Sequence, residues 1–134
     1  MKQQTRTLAE LKREIESTMS EEQLLARVIE IAHEHGWIVS HFRPSLSQSG
    51  RWHTAVQGDG AGWPDLVLCR PSRRIGKMGR LLFVELKSAR GKLSEAQKAW
   101  IAALRDSGEI VHVWRPTDWE EIERTLRGEE EGEG

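Results

Sequence analysis

The stretch Gly62-Trp63-Pro64-Asp65-Leu66-Val67-Leu68, read together with Leu81-Leu82-Phe83-Val84-Glu85-Leu86-Lys87-Ser88, decides the fold of this chain. Both are apolar runs of strand length, and both carry charge where a buried strand should have none. Successive side chains of a strand alternate faces, so Glu85 and Lys87 share a side with Leu81 and Phe83, while Leu82, Val84 and Leu86 point the other way. A charged pair therefore interrupts one face of an otherwise apolar strand, with Asp65 waiting on its neighbour. Burying charge is costly unless the charge is paired or holds a metal. A hard cation held by oxygen ligands accounts for the pattern.

The chain has 134 residues, room for one domain with one hydrophobic core. With 37% apolar and 31% charged residues it belongs to the soluble globular class, and no apolar run reaches the roughly 18 residues of a membrane span. No signal-peptide pattern follows Met1, so a cytoplasmic location is expected. The lone cysteine, Cys69, excludes an internal disulfide framework and a cysteine zinc site. Net charge is −1, but Glu129, Glu130, Glu131 and Glu133 crowd the end, and without these four the rest carries +3. Arg70, Arg73, Arg74, Lys77, Arg80, Lys87, Arg90 and Lys92 meet one acid, Glu85, between positions 70 and 92. Such a run is either a solvated basic hairpin or a footprint for a phosphate backbone.

Around the two strands the punctuation is regular. Leu8, Leu11 and Ile15 recur at helical spacing over Thr7–Ser17, a short helix with a narrow apolar stripe. Ser20-Glu21-Glu22-Gln23 is a capping-box pattern that opens a helix over Glu21–His35, stopped by Gly36. Trp37–Phe42 reads as a first strand, and 44–62 shows no period. Ser94-Glu95-Ala96-Gln97 caps a third helix that ends at Ser107-Gly108. A strand over Glu109–Trp114 and a helix over Pro116–Arg127 follow. The strand–helix–strand crossover from Leu82 through Trp100 to Val113 implies a parallel pair beside an antiparallel hairpin. The expected architecture is α/β, a mixed sheet of about four strands flanked by helices. Residues 1–19 then form an N-terminal helix, 20–127 the main domain and 128–134 an acidic disordered tail.

Gly62-x-Pro64-Asp65, Glu85-x-Lys87 and Ser94-x-x-Gln97 together resemble the PD-(D/E)xK, or restriction-endonuclease-like, superfamily of nucleases. Within it the chain is similar to the VRR-NUC family, in the small stand-alone form carried by phages. Ser20-Glu21, Gly36-Trp37, His41, Gly91-Lys92-Leu93-Ser94 and Trp114-Arg115-Pro116 extend the likeness over residues 20–126. Pro-Asp or Glu-x-Lys alone is weak; their order on adjacent strands with the following Ser-x-x-Gln helix is specific.

The resemblance implies hydrolysis of phosphodiesters, leaving a 5′-phosphate and a 3′-hydroxyl. The residue types suit that chemistry by themselves. Asp65, Glu85 and the Leu86 backbone carbonyl are oxygen ligands for Mg²⁺ or Mn²⁺, and Lys87 is placed to orient or deprotonate a water and to stabilise charge on phosphorus. Glu21 and Glu22 are either favourable first-turn acids of a helix or accessory metal-site acids, and the resemblance prefers Glu21. Gln97 is either the glutamine of a capping box or an active-site group, and one amide is not expected to fill both roles. His41 is either a packed histidine or a phosphate contact.

Candidate nucleic-acid contacts are His41, Arg43, Arg51, Arg73, Arg74, Lys77, Arg90 and Lys92. Of six tryptophans, Trp100, Trp114 and Trp119 fall on apolar faces, whereas Trp52 and Trp63 border the long loop and are the better candidates for stacking on substrate. Small members of the family resemble junction-resolving enzymes, which implies branched DNA and a homodimer with two active sites. The first helix and the Pro116–Arg127 helix are the candidate dimer surfaces. The competing functions are a non-cleaving nucleic-acid-binding module and a nuclease active only within a larger phage or repair assembly.

Overall fold

The computed structural model describes residues 5–42, 44–46, 52–54 and 58–129, with the backbone alone for 44–46 and 52–54. Helix α1 spans Leu8–Thr18 and α2 spans Glu21–Glu34. Each opens on a reciprocal box in which the cap hydroxyl accepts from the third residue and that residue's side chain returns to the cap N–H: Thr7 with Glu10, Ser20 with Gln23. The left-handed Gly36 ends α2, as its sequence predicts. Strand β1 (Ile38–His41) follows, then β2 (Pro44–Leu46) and β3 (Trp52–Thr54). These last two form a separate antiparallel ladder in a region expected to be irregular. Three-residue strands are too short to show a period, and Pro and Ser have little strand preference.

Strands β4 (Leu66–Arg70) and β5 (Arg80–Leu86) make the antiparallel hairpin, α3 (Glu95–Asp106) crosses over, and β6 (Ile110–Trp114) returns parallel to β5. The main sheet has the order β1-β4-β5-β6. This is the mixed four-stranded α/β sheet of a restriction-endonuclease-like fold. Helix α4 starts later than expected, at Trp119, and runs to Arg127, because Pro116–Asp118 form a 3-10 turn. There Asp118 Oδ2 accepts the Arg115 N–H at 2.8 Å and so folds the entry back on itself.

Alternation on β5 sorts the core into two halves. Leu82, Val84 and Leu86 face α2 and α4, where they meet Leu24, Val28, Trp114, Ile122 and Leu126, all fully buried. Each such side chain contributes about 1.5–3 kcal/mol by leaving water. Phe83 faces α3 and packs with Ile101 and Val111. Helix α1 has no buried residue, and Leu8, Leu11 and Ile15 stay exposed beside Trp119. Among the described residues no helix is long and apolar enough to cross a membrane.

Candidate active site

The approach to β4 is set by a close contact. Gly62 sits at φ +85° against the first turn of α3, where a Cβ would lie 2.4 Å from the Ala96 carbonyl carbon and 2.6 Å from Gln97 N. Only glycine allows that backbone to come so near while adopting that φ. The contact brings the strand bearing Asp65 and the helix bearing Gln97 together. Trp63 fills the space beneath, edge-on to Phe42, Phe83 and Trp100 at 6.0, 5.8 and 4.8 Å. Trp63 is therefore part of the α3-side core, which corrects its assignment to substrate stacking; the side chain of Trp52 lies outside the described residues.

Asp65 is fastened at both ends. Its backbone carbonyl accepts Phe42 N–H at 2.8 Å and its Oδ2 accepts Leu86 N–H at 2.8 Å, so the carboxylate leans across to β5. Glu85 stands beside it, 1% exposed. Its Oε1 accepts from Gln97 Nε2 at 2.9 Å, and its Oε2 is buried with no hydrogen-bond partner. Lys87 continues past β5, its N–H donating to Trp114 O at 3.0 Å. The Lys87 Nζ lies 3.9 Å from Glu85 Oε1 and 3.7 Å from Glu21 Oε1, with its side chain 12% exposed. Burial first, and then the negative charge of Asp65, push the Glu85 carboxyl up to about 8; Glu21 adds to the shift and Lys87 opposes it. Burial beside a second carboxylate thus favours the protonated form of Glu85.

The donor set fits a hard divalent cation. It offers oxygen from Asp65 and from the orphaned Glu85 Oε2, without cysteine or histidine. Among the described residues no three His, Cys, Asp or Glu side chains converge as a ready metal cage. Glu21 leans on Lys87 instead. Two carboxylates with open positions suit an ion such as Mg²⁺, which keeps several of its waters.

The remaining candidates divide. Glu21 reaches the site, its Oε1 3.7 Å from Lys87 Nζ, whereas Glu22 is exposed. Gln97 overturns the expectation that one amide serves one role: Oε1 accepts Ser94 N–H at 2.8 Å while Nε2 holds Glu85. His41 is exposed, paired across the ladder with Leu66, and so lies at the rim and not in the core. Arg90 and Lys92 are exposed just beyond Lys87. Arg43 and Arg51 lie outside the described residues.

Arg73, Arg74 and Lys77 are not gathered at the site. The ladder runs from Leu66↔Val84 at the acidic end to Arg70↔Arg80, about 13 Å away at strand rise, and these three lie beyond it. Arg73 donates to the carbonyls of His35 and Arg127, at the C-terminal ends of α2 and α4. Arg70 stacks over Trp37 at 4.7 Å, and burial, with Arg73 and Arg80 nearby, holds its pKa below the usual value. The basic run, continuous in sequence, falls into two groups at opposite ends of the hairpin. Sequence reading also passed over a role for Arg115, whose only signal was its place in the Trp114-Arg115-Pro116 stretch.

The VRR-NUC domain family matches residues 6–117. A curated relative, the Fanconi-associated nuclease 1 homolog of Arabidopsis thaliana, is 42% identical over 53 residues, which are 40% of this chain and 6% of that protein. The chain thus spans a small fraction of that relative's length. No solved structure gives a significant match.

Proposed function

This chain belongs to the VRR-NUC family of nucleases, and we propose that it is a divalent-metal-dependent endonuclease that hydrolyses DNA phosphodiesters, with branched DNA of the Holliday-junction type as preferred substrate. The observation that carries the reading is Glu85. A carboxyl 1% exposed, with one oxygen unpartnered beside Asp65 and Lys87, is expensive for folding and useful for holding a cation.

In this reading Asp65, Glu85 and the Leu86 carbonyl would hold Mg²⁺ or Mn²⁺, which would supply Lewis acidity toward water and the scissile phosphate. Gln97 fixes Glu85 by Oε1 and leaves Oε2 without a hydrogen-bond partner. Lys87 Nζ, as an ammonium, would donate to and orient the attacking water and offset negative charge growing on the phosphoryl oxygens, while the water's proton leaves to solvent. Glu21 holds the ammonium at 3.7 Å from the opposite side. Arg90, Lys92 and His41 line the rim as phosphate contacts, and the products carry a 5′-phosphate and a 3′-hydroxyl.

Cutting both strands of a junction needs two sites, which a homodimer supplies. The exposed Leu8, Leu11 and Ile15 beside Trp119 support an interface on α1 and α4. Work within a larger repair assembly is the second reading. It is favoured by the match to a small part of a much longer nuclease homolog.

The test is cleavage of a labelled four-way junction, a linear duplex and a single strand by wild type and Lys87→Ala with Mg²⁺, Mn²⁺ or EDTA. Metal-dependent junction cutting lost in the variant is the expected result. Salt-sensitive binding with no cutting under any metal condition would point to a non-cleaving module or a missing partner.

A further inference from the structure

Directly after Lys87 the chain bends back, with Ser88 O accepting the Gly91 N–H at 3.2 Å. The bend forms one wall of the lysine: the point where a Cβ would sit on Gly91 is 3.4 Å from Lys87 Cδ and 3.0 Å from Ser88 Oγ. Its carbonyls converge on a single group from the neighbouring strand. Arg115 Nη1 lies 2.8 Å from Ser88 O, 2.6 Å from Gly91 O and 3.4 Å from Ala89 O. Arg115 is itself anchored, because its backbone N–H goes to Asp118 Oδ2 and its neighbour Trp114 accepts the Lys87 N–H.

We propose that Arg115 is a positioning residue of the active site, which acts by clamping the bend 88–91 so that Lys87 is held between Glu85 and Glu21. The proposal rests on the nuclease reading for its meaning, but not for its geometry. A bend of four residues whose carbonyls point inward has no core of its own. Without the guanidinium those carbonyls would turn to water and the Lys87 stem would lose that wall. All three contacts fall on the one nitrogen Nη1, which the longer arginine with its fixed guanidinium plane holds at that point; the shorter, freely rotating lysine side chain would not carry its ammonium there. A one-ångström displacement of Lys87 is enough to matter, since misplacing a reacting group by that much lowers turnover by about a hundredfold.

Two measurements on the full chain test this in wild type, Arg115→Lys and Gly91→Ala. The first is the rate of reductive methylation of each lysine, read by mass spectrometry well below the melting temperature. Lys87 should react several-fold faster in Arg115→Lys, while Lys77 and Lys98 keep their wild-type rates. The second is steady-state cleavage, where kcat should fall by about a hundredfold with KM little changed. Gly91→Ala sets a methyl group 3.0 Å from Ser88 Oγ and so crowds the bend with Arg115 intact, and it should also raise Lys87 reactivity. It decides the matter if Arg115→Lys does not fold. Unchanged Lys87 reactivity in the folded variants, or a rise in KM with kcat preserved, overturns the proposal. A wild type that cleaves nothing removes the nuclease reading, and the methylation rates still decide the clamp.

Discussion

The Gln97 amide joins a helix cap to an active-site acid: Nε2 donates to Glu85 Oε1 at 2.9 Å while Oε1 accepts the Ser94 N–H at 2.8 Å. The two jobs can be separated. Ser94→Ala removes the cap hydroxyl and keeps the contact to Glu85, so it should cost about 1 kcal/mol of stability with cleavage nearly intact. Gln97→Leu should lower cleavage or Mg²⁺ affinity about 10- to 100-fold, as loss of an orienting partner does. Denaturant unfolding and metal titration check the pair; equal loss of cleavage in both would mean that Gln97 matters only as a cap.

Glu85 makes stability depend on pH. Its folded pKa, about 8, lies above the ordinary 4.5, so the native state binds the extra proton. The metal-free protein is therefore most stable below about pH 4.5 as far as this group is concerned, and loses stability as pH rises through 8, by up to about 1.4 kcal/mol per pH unit. Glu85→Gln should flatten that slope. Chemical unfolding in EDTA between pH 5 and about 8 measures it, and a wild-type profile as flat as the variant's would refute the buried proton.

Gly62→Ala places a methyl group 2.4 Å from the Ala96 carbonyl carbon at a φ of +85°. Overpacking and left-handed strain together should cost about 3 kcal/mol. Because the same contact sets the distance between Asp65 and Gln97, any folded fraction should cleave poorly. A urea midpoint like that of wild type would show that the backbones can separate freely.

The two basic groups should separate by experiment. Arg90→Ala and Lys92→Ala should each reduce the salt dependence of DNA binding by about one unit of slope. Arg73→Ala should leave the slope unchanged and lower stability instead, because its guanidinium caps the carbonyls of His35 and Arg127. Binding measured across a salt series, alongside melting curves, tells them apart. A fall in slope for Arg73→Ala would restore the hairpin tip to the interface.

Glu21→Gln should reduce cleavage about tenfold or more by releasing Lys87, and Glu22→Gln should leave it near wild type. Equal effects of the two on single-turnover rates would contradict the placement of Glu21 at 3.7 Å from the lysine.

Alternation along Leu81–Lys87, the capping boxes at Ser20 and Ser94, and the glycine stop at Gly36 are written locally, in the chemistry of neighbours a few residues apart. They placed the strands, the helices and the acids with the lysine before any contact was known. The 3-10 turn at Pro116 depends on the Asp118 bond to Arg115 N–H, and the β2–β3 ladder pairs only three residues on each side, too few to show a period. Other questions were decided by which elements pack together. Glu21 and Glu22 are equal in sequence, and only the rotation of α2 over β5 turns one toward Lys87. Gln97 could hold two partners because Gly62 lets α3 approach β4. Arg73 and Arg90 belong to one charge run in sequence, yet an antiparallel hairpin carries them to opposite ends of the sheet. Local preference fixes where an element lies along the chain; a side chain's reach across to another element is fixed only when both are packed.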